Sequence, residues 1–312
     1  MRILVLAGAR DNAPITRQTL TILETLRRQG CPLDYVCAFC DADDARAVAA
    51  CEENDAILIL PGAADARQIE KLAMLSGLFA TVHAFATSAA YAHLAPLKTS
   101  RERTFDITVV SDPYQGTSGA QHGVIAQSYE LVGTHTLRYT ETNIRVLAQV
   151  ALETAQRRSR RLTSVDQADR LGTMELWRDV VTEAVGRHPD VCVEHHFIEN
   201  AIAQLVTDPY RFDTIVAGGN LGVILAAQIG ALTGTPDVWA RALVGSGGFG
   251  IYEIASLHHA GHAPDVPFEA CAPAVLNALS LMFRYSANDP QLEAHAASAC
   301  TQAIQEHQPS RR

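Results

Sequence analysis

The sequence has no uninterrupted apolar run of the roughly 18 residues that a membrane-spanning helix needs. Its opening, Met1 to Gly8, reads as a buried strand entering a turn rather than as a secretory leader. A cytoplasmic protein is expected. Basic residues are in short supply: 25 lysines and arginines face 34 acids, for a formal net charge of -9, with no domain-sized basic stretch. Nucleic acid and anionic membranes repel such a surface, so the expected partner is a small molecule or another protein. No internal repeat or low-complexity segment is present, and only Gln308 to Arg312 read as a disordered tail. A disulfide framework is missing too. The seven cysteines are an odd number and lie scattered, in a chain of 312 residues that can bury a core without staples, so reduced thiols are expected. Cys37 and Cys40 have the spacing of a redox or zinc half-site, but no second pair or nearby histidine completes four ligands, and they read as structural.

What is present is an alternation of apolar runs with helical periodicity, the pattern of an α/β protein with a largely parallel sheet. Strands are expected at Arg2 to Leu6, Ala56 to Leu60, Phe105 to Val110, Leu162 to Val165, Val191 to Val193 and Thr214 to Ala217. Helices are expected at Ile15 to Arg28, around Met174 to Val185, and from about Ile198. In the middle, Ile144, Leu147, Ala148, Ala151, Leu152 and Ala155 make one continuous helical stripe that must pack on a core or a partner. The arginines at 157, 158, 160 and 161 suit that helix's negative end. Gly218-Gly219 opens a further helix in which Leu221, Ile224, Leu225, Gln228 and Leu232 share a face, and Gly234 to Gly250 reads as loops and short strands.

From about residue 78 onward a series of short motifs follows in order: Leu78-Phe79-Ala80, Pro96-Leu97-Lys98, Arg138-Tyr139-Thr140, Ser164-Val165-Asp166, Glu175-Leu176-Trp177-Arg178, Pro189-Asp190-Val191, Phe212-Asp213 and Ala263-Pro264-Asp265. With them the sequence resembles the isopropylmalate and isocitrate dehydrogenase family of decarboxylating dehydrogenases, the isopropylmalate branch above all. The resemblance implies a two-domain α/β fold with parallel and mixed sheets and a substrate cleft between the domains. Residues 1–88 with 234–312 would form the large domain, on the cofactor side. Residues 89–233 would form the small domain, with a β arm and dimer-interface helices. It also implies a homodimer whose subunits lend side chains to each other's site.

The family reaction oxidises a 2-hydroxy acid with a nicotinamide cofactor and then releases carbon dioxide, with a divalent cation polarising the hydroxyl. Carried over residue by residue, the resemblance finds that machinery replaced. The cation's two carboxylates, one helical turn apart, become Val223 and Ala227, and only Glu199 stands at the third carboxylate position. The general-base lysine after Ser-Val-Asp becomes Gln167, a neutral amide that cannot relay a proton. The arginines that fork substrate carboxylates become His83, His93 and Ser111. The catalytic tyrosine has no counterpart, Ser118 being nearest by alignment and Tyr114 near in sequence but off register. The adenine-side motif is displaced by an insertion, Ile254 to Gly261, and its asparagine becomes Ala272. Losing even one such group costs about 10²-fold or more in rate, so loss of NAD, magnesium and the standard reaction is expected.

The same alignment sets His83, His93, Glu199 and Asp169 around the former substrate position as candidate catalytic groups, with Ser111, Gln167 and Tyr114 as candidate substrate contacts. Histidine and carboxylate together suit acid/base dehydration, isomerisation or cyclisation. The blander alternative stays open: the histidines fill space left by arginines, and Glu199 favours a helix N-terminus. His195 and His196, adjacent on a strand, point to opposite faces and cannot share an ion. His258, His259 and His262 have weak zinc spacing without a fourth ligand.

Three functions follow. The first is a repurposed, cofactor-free enzyme of specialised metabolism acting on a small, less acidic substrate. The second is a non-catalytic regulatory subunit pairing with an active homologue as a heterodimer. The third is an NAD(P)-dependent oxidoreductase on an unusual 2-hydroxy acid.

Overall fold

A computed structural model describes residues 1–8, 14–39, 53–64, 66–87, 95–97, 103–116, 122–127, 130–233, 239–255 and 268–307. In chain order the elements begin with β1 (Arg2–Ala7), α1 (Pro14–Arg28), β2 (Asp34–Phe39), β3 (Ala56–Ile59), α2 (Ala66–Leu75) and β4 (Ala80–Ala86). There follow β5 (Asp106–Ser111), β6 (His122–Gln127), β7 (Glu130–His135), α3 (Glu141–Gln156), β8 (Arg161–Asp166), α4 (Gly172–Val185), β9 (Cys192–Phe197), α5 (Ile198–Thr207), β10 (Thr214–Ala217) and α6 (Gly219–Leu232). The chain closes with β11 (Trp239–Val244), β12 (Gly250–Ala255), α7 (Phe268–Met282) and α8 (Pro290–His307). The architecture is α/β. Among the described residues no helix is long and apolar enough to cross a membrane.

The chain divides into two compact units: Met1–Leu78 with Val82–Asp106 and Gly230–Arg312, and Phe79–Thr81 with Ile107–Ile229. In the first, strands run in the order β2-β1-β3-β12-β11-β4. The pairs β1/β2, β1/β3 and β3/β12 are parallel, and β11/β12 is antiparallel. β3 is buried along its whole length, as a strand covered by helices on both faces must be. The Gly-rich stretch, expected as loops and short strands, carries the strand β11 and the turn that leads into β12 at Gly250.

The second unit holds four parallel strands in the order β5-β10-β8-β9. The α3 stripe read from sequence is wholly buried, and Thr140 caps the helix by accepting from the Asn143 amide at 3.4 Å. In α6, Leu221, Leu225, Ile229 and Leu232 are buried, whereas Ile224 is 48% exposed and Gln228 half-buried. The buried face is therefore rotated from the one expected. A helix apolar nearly all round does not disclose its inner side by periodicity. β6 and β7 form a separate two-stranded ribbon, closed at its base by paired backbone hydrogen bonds between Gly116 and Arg138 at 2.9 and 3.0 Å.

Candidate functional site

Chain direction within the second unit locates a crevice. The connection β8-α4-β9 steps one way across the sheet, and β9-α5-β10 steps back past β8 to its far side. Since parallel crossovers are right-handed, α4 and α5 lie on opposite faces. α4 packs with α3, whereas the Gln228 amide of α6 donates to Ile202 of α5 at 2.9 Å. The chain thus leaves the carboxyl ends of the adjacent strands β8 and β10 towards opposite faces. Ligands bind at such switch points in open α/β sheets.

At the β8 end, Asp166 is wholly buried and accepts a fork from Arg178 at 2.9 and 3.0 Å, plus the Ala168 amide at 3.0 Å. The Arg178 guanidinium also lies 4.8 Å over the Phe197 ring. Beyond it the Gln167 carbonyl accepts the amides of Arg170 and Leu171, a turn that fixes the loop. Arg170 lies 3.6 Å from Asp169 and 3.6 Å from Glu199, the latter in the first turn of α5. The structure thereby gathers Gln167, Asp169 and Glu199 from two strand ends. Arg170, which joins the two carboxylates, had no signal in the sequence beyond its place in the loop after a strand.

At the β5 end, Ser111 is 3% exposed and lies directly under α6, so close that a Cβ on Gly222 would overlap its side chain. Tyr114 is half-buried, in a turn held by the Asp112 carboxylate, which accepts from the Tyr114 amide at 2.6 Å and from both nitrogens of Gln115 at 2.6 and 3.1 Å. Gln115 in turn accepts from the Thr140 amide at 2.8 Å, tying this turn to the base of α3. Burial pushes the Asp112 carboxyl up, against the pull of those donors. The Tyr139 ring fills the space beside Gly116 and Gly218, where a side chain on either glycine would meet it, and burial together with Asp112 pushes its hydroxyl up to about 12. None of Arg178, Asp112, Gln115 or Tyr139 was singled out by sequence as a site residue.

The other candidates fall elsewhere. His83 is on β4 in the first unit, 6% exposed, stacked on Phe85 at 6.1 Å, with Nδ1 buried and without a partner. Burial, aided by the Arg241 charge, takes its imidazole down to about 3. The sign of the linkage follows. The unfolded imidazole takes up its proton near its ordinary 6.5 while the folded one stays neutral, so stability is full above 6.5 and falls as pH drops towards about 3. Between pH 7.5 and 5 this single group costs about 2 kcal/mol, and a His83→Gln variant followed by urea unfolding should lose that part of the slope. Equal slopes in the two proteins would show that His83 titrates normally.

His195 hydrogen-bonds Thr182 at 3.0 Å, and since the Thr182 hydroxyl already donates to the Arg178 carbonyl, His195 Nε2 is the donor. Burial, then the Arg178 charge, lowers its affinity for a second proton. His196 turns the other way, to Glu194 at 3.1 Å and the edge of Phe212. Burial raises the Cys37 thiol. His93, Ser118, Cys40, His258, His259 and His262 lie outside the described residues. Among the described residues no cluster of three or more metal-ligating side chains occurs.

Residues 43–311 match the sequence profile of the isocitrate/isopropylmalate dehydrogenases. The chain belongs to the isocitrate/isopropylmalate dehydrogenase family. It is 33% identical to the 3-isopropylmalate dehydrogenase of Thermosynechococcus vestitus over 97% of this chain and 89% of that protein. It is 35% identical to the enzyme of the same name from Bordetella avium over 69% of this chain, and there it spans only 61% of the relative's length. In fold it is similar to the isocitrate dehydrogenase of Methylococcus capsulatus, with a TM-score of 0.72 at 17% identity, covering 97% of this chain and 99% of the other.

Family membership overturns the expectation that NAD and magnesium are lost. The relatives are dehydrogenases, and in the family that the sequence resembles such enzymes work with a nicotinamide and a divalent cation. The replaced positions do not decide the matter, because a dinucleotide is held largely by backbone amides and helix N-termini, which substitutions leave in place. Part of the insertion that carried the expectation, residues 256–261, lies outside the described residues. The fit of the cation can be judged at α6. That helix contains no acidic residue, and the apolar Val223, 62% exposed, and Ala227, half-buried, cannot coordinate an ion, so α6 offers a hard cation no carboxylate and does not fit it in the way the resemblance implies.

Proposed function

We propose that this chain is a small-molecule enzyme of the dehydrogenase family, acting on a 2-hydroxy acid less acidic than a dicarboxylate, with Asp169 and Glu199 as the proton-transferring carboxylates. The observation that carries the reading is the convergence of both on Arg170 at the carboxyl ends of β8 and β9. A carboxylate beside a substrate hydroxyl accepts its proton as the carbon is oxidised, and Gln167 on the same loop supplies a neutral amide for orientation. Charge supports the substrate class. Arg170 is balanced by two carboxylates and Arg178 is committed to Asp166, so neither guanidinium is left to fork a second substrate carboxylate. The exposed Val223 and Ile224 on α6 suit an apolar substituent.

Reduction of NAD or NADP by a panel of monocarboxylic 2-hydroxy acids with increasingly apolar side chains tests this directly. Turnover should fall about 10²-fold in Glu199→Gln. Reduction with none of them, or a Glu199→Gln variant as active as the parent, would refute it.

A second reading, a regulatory subunit paired with an active homologue, is favoured by the apolar Val223 and Ala227 at the two positions where the resemblance places cation-binding carboxylates. Native mass spectrometry after co-expression with such a homologue separates the two: a stable heterodimer supports the regulator, a homodimer alone the enzyme.

A further inference from the structure

We propose that a phosphate group, free or at the end of a phosphomonoester, binds in a cavity of about 110 Å³ at the amino ends of β8 and β9, lined by Arg161, Leu162, Thr163, Cys192, Glu194 and Arg211. β8 runs from Arg161 to Asp166, so the cavity lies at the end of the strand away from the crevice, about 17 Å along it at about 3.3 Å per residue. It is independent of the reaction assigned to the crevice.

The strand register builds the cavity. Arg161 pairs with Cys192 and Thr163 with Glu194 in the parallel β8/β9 ladder, and because side chains alternate, all four share one face. The turn Pro209–Arg211, which follows α5, supplies the facing wall. Arg161 ties the two together by donating from Nη1 to the Arg211 carbonyl at 3.1 Å.

The charges here are unspent. In the arginine run after α3, Arg158 pairs with Asp213 at 2.9 Å and Arg160 faces Asp190 at 3.7 Å. Arg161 gives Nε to the Ser159 hydroxyl at 3.2 Å and Nη1 to a carbonyl, and meets no carboxylate among the described residues. The Arg211 guanidinium has only Glu194, at 4.0 Å, and that carboxylate turns to His196 at 3.1 Å. Thr163 also lines the cavity: it is 8% exposed, and its hydroxyl has no hydrogen-bond partner among the described residues. A polar side chain so deeply buried normally has one.

The donors choose the ligand. They come from two strand positions and a turn, which suits the oxygens of a tetrahedral anion better than a planar carboxylate held by a single fork. The volume is about four times the share of one water molecule in the liquid, room for a phosphate but not for a nucleoside behind it. Glu194 can accept from a phosphate that keeps a proton, which sulfate lacks.

The test titrates inorganic phosphate, glycerol 3-phosphate and sulfate calorimetrically into the full chain at constant ionic strength and about pH 6, near the second pKa of a phosphomonoester. The parent is compared with Arg161→Gln, Arg211→Gln and Thr163→Val, and with Arg157→Gln, which removes an exposed arginine outside the cavity. Arg161 and Arg211 are exposed, so their loss leaves the fold intact. Phosphate or its ester should bind the parent and Arg157→Gln alike, at least about tenfold more weakly in each cavity arginine variant, and about fivefold more weakly in Thr163→Val. The tighter of the two shows whether the ligand is free phosphate or an ester. A parent that binds neither saturably, cavity arginine variants that bind as the parent does, an equal loss in Arg157→Gln, or sulfate bound as tightly as phosphate would each overturn the inference.

Discussion

Arg178→Ala should lower the unfolding free energy by about 3 kcal/mol, because it leaves the fully buried Asp166 carboxylate with the Ala168 amide in place of a forked guanidinium. Breaking a buried pair from one side costs about 3 to 5 kcal/mol, and the lower end applies since the Arg178 side chain is 32% exposed and water screens part of the charge. Arg178→Lys should recover little of it. An ammonium keeps the charge but cannot make the two parallel bonds or lie flat over Phe197. Urea unfolding with an unchanged m-value is the measurement. A loss under about 0.5 kcal/mol for Arg178→Ala would mean the pair is ornamental. The consequence reaches the candidate site, because Asp166 is the last residue of β8 and the turn carrying Gln167, Asp169 and Arg170 begins on it.

Gly222→Ala should be of similar size, about 3 kcal/mol, although alanine is the better helix former. Its Cβ would overlap Ser111 Cβ and lie 2.8 Å from Ser111 Oγ, with the Ala217 carbonyl 3.6 Å away. Ser111 is the last residue of β5 and cannot give way without moving that strand. Relief therefore has to come from α6. The double variant Ser111→Gly/Gly222→Ala should regain most of the loss, which makes the pair a double-mutant cycle with a strongly favourable coupling. If Gly222→Ala is as stable as the parent, α6 sits farther from β5 than described, and Ser111 returns to being an accessible contact.

Much of the architecture was legible in the sequence. The α3 stripe works because six apolar residues at helical spacing leave one face that only a core can cover, and all six are buried. The strand at 214–217 was legible as a short, mostly apolar run, the form that a parallel, doubly covered strand takes, while that at 162–165 also buries Thr163 and Ser164. α6 was readable as a helix but not as to its buried side.

The site divides along the same line. Gln167, Asp169 and Glu199 were named from the resemblance, and the fold gathers them on one crest. Arg170 was invisible, because its role is set by a neighbour 29 positions away on another strand end. His83 was named as a candidate acid or base. Its depth in β4 and the charge of Arg241, neither readable from the residue itself, hold it neutral to about 3.

By itself, then, the sequence determined the α/β class, the family and the residue types available for chemistry, since these rest on local periodicity and on motifs in order along the chain. Only the tertiary structure decided which charges are spent on one another and which face of α6 is covered. Burial and ion pairing depend on distances between residues far apart in sequence, and these exist only once the chain has folded.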